Sequence, residues 1–231
     1  MTTIVEPRVE LIAHTTLACD GRSPAIEGHM SLDPDAGDMQ QLVEFAGRSC
    51  YESWSKPNPV TARNKDYIAR TLHGRKHWSI AEHASATFYI TGVSRALTHE
   101  LVRHRHLSYS QLSQRFVDES DANIVIPPAA RGSEKLMWEF ENAAAGARHS
   151  YQELVEALLD SGLARKQARE AARAVLPNMV ETRIVVTGNL RAWHEVIERR
   201  TAPDADAEFQ QVANLIRNEL QRLAPEVFPA P

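Results

Sequence analysis

The chain has 231 residues, 43% of them hydrophobic, with 26 basic and 30 acidic side chains and a formal charge of −4. That length and apolar content support a sizeable core in one domain spanning 1–231, and the acidic balance argues against a generic nucleic-acid binder. Cys19 and Cys50 form no CxxC pair, no apolar run approaches the roughly 20 residues that cross a bilayer, and charges interrupt the opening MTTIVEPRVELIAHTTL, so a cytoplasmic protein without a disulfide framework is expected.

In chain order, VELIAHTTL (9–17) predicts a first strand. Residues 38–50 predict a helix capped by Asp38, with Met39, Leu42, Val43, Ala46 and Cys50 on one stripe. A loop at SKPNPV precedes a helix from Asn64 that Gly74 ends. SIAE (79–82) has capping-box spacing, Ser79 to Glu82. ASATFYIT (84–91) alternates as a half-buried strand. Ser94 caps a helix running toward Arg103. A long helix from Ser133 turns Leu136, Met137, Phe140, Ala147, Tyr151, Leu154, Val155 and Leu158 inward and stops at Gly162. A helix over 165–175, a strand over 180–187, a helix opened by Asn189 and a last helix through Phe209, Val212, Ala213, Ile216 and Leu220 complete the chain. The fold class is α+β, a single helix-rich domain.

No GxGxxG or GxxxxGK[ST] occurs. HELVRH places His99 and His104 five apart, roughly 140° around a helix, so they do not grip one metal ion from one face, and no metal is expected. The stretch ELVRHRHLSYSQLSQRF (100–116) is different in kind. Arginine forks, serine hydroxyls and glutamine amides are interleaved there with little acid. Such donors suit a phosphate and a planar ring bearing amides. A solvated helix end, with cations set against the macrodipole, is the plainer reading. Ser113 reads as a binding hydroxyl, since no Asp–His relay is evident to activate it. A second cationic segment runs from Arg165 to Arg200 and includes Arg173.

Arg103, His104, Arg105 and, seven residues on, Ser113 resemble the RHR-x7-S signature of the flavin-dependent thymidylate synthases. CYESWSKPNP, HWSIAEHASATFYI, ARAVLPN and ETRIVVTGNLRAW resemble further segments of that family, in its order. The resemblance implies an α+β fold of the family's own, with a central, mostly antiparallel sheet. The implied reaction is reductive methylation of dUMP to dTMP with bound FAD, the one-carbon unit coming from 5,10-methylenetetrahydrofolate and the reducing power from NADPH. It also implies a homotetramer with sites between subunits.

Carried over by position, the dUMP site would comprise Glu100, Leu101, Val102, Arg103, Gln111, Leu112, Ser113, Gln114 and Arg115, with Arg173 adding charge for the phosphate. Arg200 would contact the uracil and favour loss of its N3 proton, as an always-charged guanidinium can. The FAD side would use Ser79, Arg103, His104, Arg105, Gln111, Asn189, Leu190, Arg191 and Glu195, flanked by His77. A carboxylate repels phosphate, so Glu195 is expected to meet a ribose, an adenine amino group or a neighbouring arginine. Arg199 and Arg200 point about 100° apart on a helix, so only one of them enters a pocket.

Overall fold

The computed structural model describes residues 3–18, 24–56 and 58–230; the expectation at Cys19 lies outside them. Among the described residues four strands make one sheet: β1 (Arg8–His14), β2 (Ser85–Ser94), β3 (Leu107–Gln111) and β4 (Glu181–Asn189), in the order β1-β2-β4-β3 with every pairing antiparallel. Alternation buries Ala86, Phe88 and Ile90 of β2 beside Ile184 and Val186 of β4. The opposite face is half-buried, as an antiparallel sheet permits. β3 is an edge strand in a stretch to which the sequence analysis assigns no element. In LSYSQ the half-buried Leu107 and Tyr109 alternate with the exposed Ser108 and Ser110, over only five residues, and the segment is held extended by pairing with β4, Leu107 opposite Gly188.

Eight α-helices accompany the sheet among the described residues: α1 (Pro24–Glu27), α2 (Asp38–Ser49), α3 (Asn64–Ile68), α4 (Arg95–Leu101), α5 (Glu134–Asp160), α6 (Arg165–Ala172), α7 (Leu190–Arg200) and α8 (Ala207–Leu223). The main core forms where α2, α7 and α8 cover the buried sheet face, around Phe88, Trp193 and Phe209. Trp193 Nε1–H donates to Ala86 O at 3.1 Å, so the largest buried ring leaves no orphan donor. Ser94, Ser133 and Asn189 cap α4, α5 and α7 as expected, accepting from Leu97 N, Leu136 N and Ala192 N.

Several expectations change. Asp38 is the first residue of α2 rather than its cap, and its carboxylate accepts from Leu17 N at 2.9 Å. Cys50 is free and exposed. Beneath α2, Arg48 donates to the buried Glu44 carboxylate, which also accepts from Asn64, a polar knot that hydrophobic periodicity cannot reveal. The helix from Asn64 widens into a π-helical turn over Ala69–Gly74. Ser79 caps nothing. It lies inside a 3-10 segment, Trp78–His83, and Glu82 pairs instead with Arg191 Nη1 at 2.5 Å. The π turn and the positive φ at Lys76 deliver the chain to Trp78 without the extended residue a cap needs. α5 buries Ala144 and Tyr151, but Leu136 and Leu154 are exposed. At 27 residues and about 1.5 Å each it outruns the elements that pack on it. No helix among the described residues is long and apolar enough to cross a membrane.

Candidate active site

α4 stops at Leu101, two residues short of the expected Arg103. Val102 closes it, and His106, at φ +65°, turns the chain into β3. The Tyr109 hydroxyl lies 2.7 Å from Leu101 O and 2.9 Å from His104 O and ties this turn to the sheet. Burial pushes that hydroxyl's pKa up to about 12, so it stays a donor. Arg103 and Arg105 stand exposed on the turn, and their side chains make no hydrogen bond or ion pair among the described residues.

Arg200, the last residue of α7, reaches back to this turn. Its Nη1 ion-pairs with Glu100 Oε2, its Nε–H donates to His104 Nε2 at 2.9 Å, and its guanidinium lies 4.6 Å from the Phe209 ring centroid. Arg199 is exposed, while Arg200 turns into this cluster. Residues 96 positions apart therefore meet in one cluster beside Arg103. The His104 imidazole is held down at about 4, by burial first and then by the Arg200 and Arg199 charges.

The remaining candidates fall in distinct places. Gln111 donates its amide to Thr98 Oγ1 at 3.0 Å and Thr182 Oγ1 at 3.2 Å, leaving only its carbonyl for a ligand. Leu101 and Leu190 have their side chains in the core, so any contact from them is through the main chain. Val102 is exposed, and Leu112 N donates to Arg183 O. Ser113 opens a turn, its carbonyl accepting from Phe116 N and Val117 N. Gln114 is buried with its Nε2 unpartnered. Arg115 sits 3.4 Å from Glu170 of α6, and Arg169 of that helix grips Phe116 O and Asp118, so 113–118 is docked on α6. Arg173 follows α6 directly.

Arg95 was missed by sequence reasoning. Its Nη1 is buried without a partner, and burial lowers its pKa while Glu119 opposes that shift and Arg173 adds to it. The cue was available, since a basic residue just after the capping Ser94 is out of place near a helix's positive end. α4, about 10 Å long, thus runs from the Arg95 and Arg173 charges to the Glu100 and Arg200 cluster. Glu119 is also buried, with Oε1 unpartnered, and burial raises it to about 7 against the pull of Arg95.

Asn189, Arg191 and Glu195 line one cavity of about 160 Å³ with Glu82 and His106. Glu195 lies 3.6 Å from Arg191, so the carboxylate does meet a neighbouring arginine. His77 is not with them; it lines a separate cavity of about 250 Å³ with Tyr51, Tyr67 and Arg75. Ser79 is exposed.

In this α+β fold the edge strand β3 and the turn before it gather guanidinium groups, hydroxyls and amides, donors of the kind that suit phosphates and planar amide-bearing rings. The chain matches the Thy1 family model, described as thymidylate synthase complementing protein, over residues 34–226. Three proteins named flavin-dependent thymidylate synthase are close in sequence. That of Mycobacteroides abscessus is 51% identical over 99% of this chain and 91% of its own length. That of Mycolicibacterium gilvum is 50% identical with the same coverage. That of Mycobacterium tuberculosis is 49% identical over 96% of this chain and 88% of its own. The chain belongs to the Thy1, or flavin-dependent thymidylate synthase, family.

Proposed function

We propose that this chain is a FAD-dependent thymidylate synthase, converting dUMP to dTMP with 5,10-methylenetetrahydrofolate as one-carbon donor and NADPH as reductant. Family membership supports the reaction class. The observation that carries the reading to particular residues is the convergence of Arg200 with Glu100 and His104 beside the exposed Arg103.

Arg200 would meet the uracil edge and stabilise negative charge left when its N3 proton departs. Arg115 and Arg173, with Ser113 and Gln114, would hold the phosphate; the unpartnered Gln114 Nε2 and Arg95 Nη1 are donors still in need of an acceptor. Bound FAD supplies the redox chemistry, and the protein orients charges around it. The residues present fit such a group. Arg103 and Arg105 are uncommitted cations for its diphosphate, and the cavity at Asn189 and Arg191 has room for a part of it.

Neither that cavity nor the one at His77 can enclose a whole dinucleotide, since sites for drug-sized ligands run about 300–1,000 Å³. A second copy covering the turn would close the site, and the reading takes the enzyme as a homotetramer with sites between subunits. The reading places the enzyme in the cytoplasm, where these small molecules are its partners.

The test is the visible spectrum of the purified protein together with dUMP-dependent NADPH oxidation and dTMP formation. Flavin absorbance with dTMP produced is the expected result. A protein that holds no FAD when it is supplied, or that forms no dTMP, overturns the reading.

A further inference from the structure

Arginine offers five N–H donors in a rigid fork. In Arg200 the Nε–H is taken by His104, one Nη1–H by the Glu100 carboxylate, and one Nη2–H by Glu100 O at 3.4 Å. One N–H on each Nη remains for a further acceptor. Three elements and one turn hold the guanidinium in this pose: α4 through Glu100, the turn through His104, α7 by carrying Arg200, and α8 through Phe209 beneath it. His104 packs its ring edge-on against the same Phe209, with centroids 6.0 Å apart, and its backbone is anchored by Tyr109. The imidazole therefore faces inward, away from the exposed side of the turn where Arg103 and Arg105 stand.

We propose that His104 is a positioning residue for Arg200, accepting the guanidinium Nε–H at Nε2 and thereby fixing which two N–H groups face the substrate. This rests on the proposed function and gives the imidazole of the triplet's central residue a role toward the substrate arginine. An acceptor Nε2 requires the neutral ring with its proton on Nδ1; burial together with Arg200 and Arg199 keeps the ring neutral, and the Arg200 Nε–H facing Nε2 selects that tautomer.

Three variants and one spectroscopic measurement test it. In H104Q the side-chain carbonyl reaches the place of Nε2. In H104N it reaches only the place of Nδ1, and H104A removes the acceptor. H104N and H104A are expected to lose about ten- to a hundredfold in kcat, the worth of one hydrogen bond to a charged group, with a smaller change in the KM for dUMP. H104Q is expected to stay within about threefold of the parent. All three are expected to keep the parent's flavin content. Loss of FAD in step with activity, or H104Q as impaired as H104N, overturns the assignment.

The measurement free of turnover is the side-chain ¹⁵N shift of His104 in histidine-labelled protein. It is expected to show an unprotonated Nε2 from about pH 5 to 8 and a pKa that rises in R200A. A parent His104 that titrates near the ordinary value of about 6.5 sinks the proposal even if every variant fails to fold. Absence of flavin and turnover in the parent would instead remove the thymidylate reading and leave this nitrogen measurement intact.

Discussion

Replacing Glu208 by alanine removes a side chain that ties α8 to the start of α4. Glu208 is only 7% exposed, and its carboxylate accepts from Ser94 N at 2.7 Å and Ser94 Oγ at 2.6 Å. Hydrogen bonds to a charged group are worth about 1.5–3 kcal/mol each, and in E208A the buried Ser94 N–H is left without an acceptor. Burial works against the charged carboxylate and raises its pKa, so the lower end of that range applies to both bonds, about 3 kcal/mol together. For a chain of this size each kcal/mol moves Tm by about 2–4 °C, so E208A is expected to melt about 6–12 °C below the parent. The measurement is thermal unfolding at a fixed protein concentration, because any assembly makes Tm concentration-dependent. E208Q keeps one acceptor oxygen and is expected to lose about half as much. A loosened α4 also displaces Glu100 and the turn after it, so kcat should fall below the temperature at which E208A unfolds. An E208A protein melting within about 2 °C of the parent would refute the reasoning, since it would mean these bonds contribute nothing net.

R200A is expected to cut turnover about 10²-fold or more while flavin absorbance stays at the parent level; normal turnover with lost flavin would show the guanidinium serving the cofactor instead. Glu119, raised to about 7 by burial, binds its proton more tightly folded than unfolded, so its contribution to stability is complete below the ordinary carboxylate range and is lost as pH rises through about 7. E119Q, neutral throughout, should therefore match the parent's Tm near pH 4 and exceed it near pH 8, and equal melting curves at both values would exclude the buried, unpartnered carboxyl described here. Gly92 lies in the β2 bulge at φ +67°, and an added Cβ would stand 1.9 Å from Glu6 O. G92A should destabilise by about 2 kcal/mol or more, read as a fall in denaturation midpoint, and an unchanged midpoint would contradict the close approach.

Much of the architecture was readable before any coordinates. Strands β2 and β4 alternate, α7 and α8 carry apolar residues at helical spacing, and Ser94, Ser133 and Asn189 are caps with a local mechanism. Those signals depend on neighbours within a few positions. The reading failed where the deciding partner was distant. β3 is polar and extended because it pairs with β4. Ser79 caps nothing because the π turn before it changes the approach. α5 looked amphipathic along its whole length, yet Leu136, Trp138, Leu154 and Leu159 on it are exposed.

At the candidate site the same division holds. The kinds of donor, and their grouping at 100–115 and 165–200, are properties of the sequence itself, as is the family resemblance they carry. Only the tertiary structure decided that Arg200 rather than Arg199 turns inward, that Gln111 satisfies its amide on Thr98 and Thr182, and that His77 lines a different cavity from Asn189. The physical reason is that a side chain's direction at the end of a helix depends on what packs against it. For Arg200 those partners are Glu100, His104 and Phe209, brought into reach when α7 and α8 close over the sheet beside α4.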